Sequence, residues 1–119
     1  MKVMVYGAST NPERYAYKAT ELLLAHKHEV VLVGHKTGEV SGIPIWHGNP
    51  QLDDVHTMTL YVGPQNQGEL LDYARRIKPT RIIFNPGTEN PSLYGELEKV
   101  GIKVEEACTL VLLHTGQFV

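Results

Sequence analysis

The chain has 119 residues, 42% of them hydrophobic and 20% charged, with a formal net charge of −2. Domains run to about 100–200 residues, so the length predicts one domain over residues 1–119 and excludes a second with its own core. The composition argues against disorder. The near-balanced charge carries no electrostatic footprint for nucleic acid or an anionic membrane.

A single cysteine, Cys108, excludes an internal disulfide and a multi-thiolate metal site, which makes a cytoplasmic location the expectation. Met1 to Tyr6 is apolar but too brief for a signal peptide, because Gly7, Ser9, Asn11 and Pro12 end the run. Thr109 to Leu113 is far shorter than the about 20 residues that cross a bilayer.

The first predicted strand is Lys2 to Tyr6, apolar after Lys2 and so covered on both faces. Asn11 and Pro12 read as N-cap and first residue of a helix reaching about His26, with Tyr15, Ala19, Leu22 and Leu23 as its buried stripe. Glu29 to Val33 is a second strand, followed by the loop Gly34 to Gly38. Ile43 to Trp46 is a short extended piece, kept out of the sheet's centre by Pro44. The third strand is Thr57 to Val62. Gly63-Pro64 opens a helix to about Ile77, with Leu70, Leu71, Ala74 and Ile77 inward. Arg81 to Phe84 is the fourth strand. Asn90-Pro91 starts a helix carrying Leu93, Leu97 and Val100, which Gly101 ends. Lys103-Val104 is a short fifth strand. The last helix is expected from Glu105 to His114, with an acidic start and a histidine end that suit its dipole. Strands alternating with helices predict an α/β fold: a single Rossmann-like, three-layer domain with a mostly parallel five-stranded sheet.

In such sheets ligands bind beyond the carboxyl ends of the strands. The loops there are Gly7 to Asn11, Gly34 to Gly38, Gly63-Pro64 and Asn85 to Asn90, all rich in Gly, Pro, Asn or small hydroxyl residues. Gly7, Ala8, Ser9 and Thr10 let the backbone approach a ligand and feed a helix N-terminus, where free N–H groups favour an anion. Arg14 in the first turn opposes the helix dipole, a placement that an anionic ligand explains. The loop lacks the full G-x-G-x-x-G spacing and the Gly-Lys-Ser/Thr ending of a Walker loop. Lys36 follows the second strand where an NAD binder carries Asp or Glu, and so suits a phosphorylated ribose, with a solvated loop lysine as the alternative.

The chain resembles the small stand-alone CoA-binding proteins, whose fold is the CoA-binding domain of succinyl-CoA synthetase. The resemblance rests on Gly7-Ala8-Ser9 through Pro12 and Arg14-Tyr15, His28 to Lys36, Gly42-Ile43-Pro44, Tyr61 to Pro64, Asn85-Pro86-Gly87 to Asn90, and Gly101-Ile102 through Ala107 to Val111. It implies that the first loop, Ser9 to Arg14, holds the CoA diphosphate and that Lys36 approaches the phosphorylated ribose. It also implies that Val62, Gly63, Pro64 and Gln65 line the adenine or pantetheine path. That family usually has Asn-Pro before the lysine, where this chain has Gly34-His35. The synthetase's phosphate transfer uses a histidine in a second domain, for which this chain has no room.

The six histidines show no pair one helical turn apart, so no metal site is expected. Asp53-Asp54 and Glu105-Glu106 are neighbours that do not face each other, so they read as solvated rather than as an acid/base dyad. Cys108 begins the apolar face of the last helix and reads as a small hydrophobe, with a mixed disulfide to a CoA thiol as the functional alternative.

The reading is a domain that binds coenzyme A or an acyl-CoA without catalysis of its own. The expected site is Gly7, Ala8, Ser9, Thr10, Asn11, Pro12, Arg14, Tyr15, Lys36, Val62, Gly63, Pro64, Gln65, Asn85, Pro86, Gly87 and Thr88. The alternatives are an NAD(H)-binding redox enzyme or sensor using the same cleft, and a structural protein with a vestigial site. Neither nucleic acid nor a membrane is expected as partner. Exposed sheet edges make a homodimer an expectation.

Overall fold

A computed structural model describes all residues, 1–119. The strands are β1 (Lys2–Tyr6), β2 (Glu29–Gly34), β3 (Gly38–Val40), β4 (Ile43–His47), β5 (Thr57–Leu60), β6 (Arg81–Phe84) and β7 (Lys103–Glu106). The helices are α1 (Tyr15–Ala25), α2 (Leu70–Ile77), α3 (Pro91–Lys99) and α4 (Thr109–His114). No helix is long and apolar enough to cross a membrane.

The strands form one sheet of seven, in the order β3-β4-β2-β1-β5-β6-β7, parallel except for the β3–β4 pair. The expected count of five is therefore corrected to seven, and the extra pair is a hairpin. Ser41 and Gly42 connect its strands, both with positive φ (51° and 82°). Two left-handed residues make the type I′ turn whose twist matches paired strands. Pro44 is tolerated in β4 because pairing with β2 begins only at Ile45. Its missing N–H therefore interrupts no ladder with β2.

Helices cover both faces. Val3, Val5, Leu32 and Ile83 pack with Ala16 and Leu23 of α1 and Leu113 of α4. Met4, Met58, Leu60, Ile82 and Phe84 pack with Leu70, Tyr73 and Ala74 of α2 and Leu97 of α3. Burial on both faces explains the unbroken apolar runs of β1 and β2.

Several boundaries differ from expectation. Asn11 does not cap α1: its Oδ1 accepts from Glu13 N at 3.0 Å, and its carbonyl accepts from Arg14 N at 3.0 Å. Residues 11–14 thus form a separate turn, and α1 starts at Tyr15, which is 68% exposed rather than buried. Its buried face is Ala16, Ala19, Thr20 and Leu23. β5 ends at Leu60, and Pro64–Asn66 is a 3-10 turn separated from α2. Val100 is exposed. β7 continues through Glu106, so Glu105 and Glu106 lie in a strand and α4 lacks the expected acidic start.

Candidate functional site

The chain leaves β1 to one side to build β2, β4 and β3, then returns to build β5, β6 and β7 on the other. The order reverses between β1 and β5, and the loops that diverge there leave a crevice. A cleft of about 560 Å³ occupies it.

The β1 loop forms one wall. Gly7 N and Ala8 N both donate to Val33 O, at 2.8 and 2.9 Å, which ties the loop to β2. Gly7 has φ +97°, and a Cβ there would lie 3.0 Å from the Tyr61 carbonyl carbon, so glycine is required twice over. Ser9 Oγ accepts from Asn11 N at 3.0 Å, which fixes the loop before it reaches α1. Arg14 is the N-cap residue of α1, with no side-chain cap and no acidic residue in the first turn. The positive end of the helix is thus left uncompensated on this side of the cleft.

The floor is a polar network. Asn85 Nδ2 donates to Thr59 Oγ1 at 2.7 Å and to Leu60 O at 2.8 Å, while its Oδ1 accepts from Thr109 N at 2.8 Å. The Thr59 and Thr109 hydroxyls meet at 2.8 Å. Burial pushes the Tyr61 hydroxyl up to about 12, against the opposing effect of hydrogen bonds to Thr59 and Thr109. Buried Gln67 joins two rim loops, donating from Nε2 to Val62 O at 2.9 Å and to Thr88 O at 2.7 Å.

Of the residues expected in the site, Gly7, Ala8, Ser9, Thr10, Asn11, Arg14, Tyr15, Lys36, Val62, Gly63, Pro86, Gly87 and Thr88 line this cleft together. Pro12, Pro64 and Gln65 sit on exposed turns outside its lining. Asn85 lies beneath it, 2% exposed, with its amide committed to the floor. Four lining residues were not foreseen: Ala16, His35, Ile45 and Tyr61. Ile45 arrives on the hairpin strand, whose signal was Ser41-Gly42 between two apolar residues. Tyr61 follows β5 and is half-buried against the core on the α1 face. His35 adjoins Lys36 and was legible only as a neighbour.

The lining carries Arg14, Lys36 and His35 and no carboxylate, in a chain whose net charge is negative. A second cleft of about 390 Å³ adjoins it and shares Gly7, His35 and Val62. Its walls include Tyr6, Val33, His47, Asn49, Asn66 and Glu69. His47 Nδ1 lies 2.9 Å from His35 O and so donates to it, which fixes the loop between the two clefts. Cys108 is half-buried at the N-cap of α4 and lines neither cleft.

A mostly parallel sheet with helices on both faces, and a cleft where the strand order reverses, define a doubly wound type of α/β architecture. The chain belongs to the CoA binding domain family, whose profile matches residues 1–114. Among solved structures, an uncharacterized protein is 46% identical, with a TM-score of 0.95 over 98% of this chain and 97% of that one. A Thermus thermophilus protein is 21% identical, with a TM-score of 0.85 over 98% of this chain and 90% of that one. A hypothetical protein from Pyrococcus horikoshii OT3 is 24% identical, with a TM-score of 0.80 over 98% and 83%. Those last two likenesses bear on the fold alone. No curated protein matches the chain.

Proposed function

We propose that the protein binds coenzyme A, free or acylated, along the carboxyl rim of the sheet and performs no chemistry on it. The observation that carries this reading is the charge of the first cleft: two permanent cations, Arg14 and Lys36, with no carboxylate to compete. Membership of the CoA binding domain family supports the choice of coenzyme A among phosphorylated nucleotides. The diphosphate rests over Ser9 to Tyr15, where the free end of α1 and the Arg14 guanidinium converge. Lys36 reads the 3′-phosphate. Val62, Gly63, Pro86, Gly87 and Thr88 flank the pantetheine arm. The second cleft, which shares His35 and Val62 with the first, takes the base.

The test is a thermal-shift and calorimetric comparison of CoA, acetyl-CoA, 3′-dephospho-CoA, NAD and ATP. CoA at 100 times its dissociation constant should stabilise the fold by about 2.7 kcal/mol, and NAD should not. Lys36→Ala should weaken CoA by about ten- to a hundredfold, the worth of a charge-assisted contact, and leave 3′-dephospho-CoA nearly unaffected. Equal stabilisation by NAD and CoA would overturn the reading.

A further inference from the structure

The amino end of the sheet, opposite the clefts, holds a second polar cluster. Arg81 opens β6 and is 9% exposed. Its Nε donates to Thr57 Oγ1 at 2.8 Å and its Nη2 donates to Phe118 O at 2.5 Å. Its Nη1 lies 3.6 Å from Glu105 Oε1. The guanidinium stands 4.6 Å from the centre of the Phe118 ring. That ring also meets His28 edge-on, with centroids 5.2 Å apart. Phe118 belongs to no helix or strand, yet it is only 2% exposed.

Two imidazoles border this cluster. His56 Nδ1 lies 2.8 Å from Thr57 Oγ1, the oxygen that also accepts from Arg81. His28 Nδ1 lies 3.5 Å from the Met1 amino group. Cations face both: Arg81 and the Met1 amino group act on each, and His26 also acts on His28. Two carboxylates on the adjoining strands are engaged elsewhere. Glu105 is shared between Arg81 and Lys103 Nζ, the latter at 3.2 Å, and Glu29 lies 4.0 Å from Lys2 Nζ. Neither imidazole has a carboxylate partner.

We propose that Arg81, His28 and His56 form an acid-labile clasp on Phe118, in which protonation of the imidazoles drives residues 115–119 off the sheet. The physical reason is like charge under a shared cover: Phe118 shields the Arg81 guanidinium, which cannot shed its proton, and a second cation beside it is relieved only when that cover leaves and water screens the pair. Burial and the adjoining cations hold both histidines below the ordinary imidazole value. A base whose value is lowered by folding contributes its full stability above the unfolded value, near 6.5. That contribution fades as the pH falls from there toward the lowered folded value. The clasp lies away from both clefts, so it stands independently of the binding reading.

Amide hydrogen exchange between pH 8 and pH 5, expressed as protection over intrinsic rates, tests this directly. The reporters are Thr115 N, bonded to Val111 O at 3.0 Å, and Gln117 N, bonded to Leu112 O at 2.8 Å. Their protection should fall on acidification by about tenfold for each unit by which folding lowers an imidazole, while the amides of β1 and β5 keep theirs. A double variant, His28→Phe with His56→Gln, should hold its protection through pH 5. Unchanged protection in the wild type, loss in step with β1 and β5, or the same loss in the double variant would each overturn the clasp. An NMR titration of the wild type needs no variant. The contact between the His28 and Phe118 rings must fade over the interval in which His28 takes up its proton, and a contact that persists through that interval also overturns the proposal.

Discussion

Gly34, at the end of β2, stands so close to the loop after β1 that a Cβ on it would lie 2.7 Å from the Ala8 carbonyl oxygen. The same Cβ would lie 3.1 Å from Ile45 Cγ2. The two walls of the cleft therefore meet through a residue without a side chain, and Val33 O binds the amides of Gly7 and Ala8 just beside it.

Gly34→Ala should accordingly displace the β1 loop, since a backbone oxygen at 2.7 Å must move. The cost in stability is expected at about 1–3 kcal/mol, the usual range for forcing a methyl into a packed place. CoA affinity should fall further than a distant substitution of equal ΔΔG would lower it. Chemical denaturation and calorimetry on the same preparations separate the two. A variant with wild-type stability and affinity would show that the approach relaxes without consequence.

Asn85 should behave as a structural residue. Asn85→Ala leaves Thr109 N and Leu60 O without their buried partners and removes one bond to Thr59. Orphaned buried groups cost about 1–3 kcal/mol each, so a total of about 2–4 kcal/mol is expected. Denaturant midpoints should record this loss without any ligand. An Asn85→Ala protein as stable as the wild type but unable to bind CoA would place Asn85 in the site instead.

Arg14 makes no ion pair and stands at the positive end of α1. Arg14→Gln should leave the ligand-free protein equally stable or a few tenths of a kcal/mol, roughly, more stable. The same change should weaken CoA, because a guanidinium can hold two phosphate oxygens at once. Raised salt should narrow the difference in affinity. Apo unfolding and CoA binding measured at low and high salt test the pair of effects. Loss of stability with normal binding would make Arg14 a structural residue.

Three tyrosines should resist alkaline titration. Burial pushes Tyr61, Tyr73 and Tyr94 up to about 12, with a hydrogen bond to Glu106 as a second cause for Tyr94. A phenol raised by folding contributes stability that is complete below its ordinary value of about 10 and is lost as the pH climbs through the folded value. Absorbance at the phenolate band should therefore show a late group of tyrosines, with unfolding over the same interval. A Tyr61→Phe variant should lose part of that late group. Titration of all six tyrosines together near pH 10, with the fold intact, would contradict the burial.

Much of the architecture was legible because short-range chemistry carries it. The apolar runs of β1 and β2, the stop at Gly101 and the turn residues at four strand ends each signal locally. The errors share one cause. Asn11-Pro12 has the chemistry of a helix start, but the same Asn side chain serves a free-standing turn equally well, and nothing local distinguishes the two. Glu105 and Glu106 suit a helix N-terminus, yet β6 draws them into pairing with Ile83 and Phe84. Gly38 to Ile45 is too short to be judged by periodicity, and its Ser-Gly turn was the one available mark of the hairpin.

For the cleft, local sequence determined the loop types: small residues after β1, a lysine after β2, Asn-Pro-Gly after β6. It did not determine which residues share the space. Tertiary structure decided that Asn85 spends its amide on Thr59, Leu60 and Thr109, that Ile45 and Tyr61 join the lining, and that Pro12, Pro64 and Gln65 stay outside it. The physical reason is that loop chemistry is set by neighbours in the chain. Facing, burial and the partner of each polar group are set by strand order, and that order brings together residues dozens of positions apart.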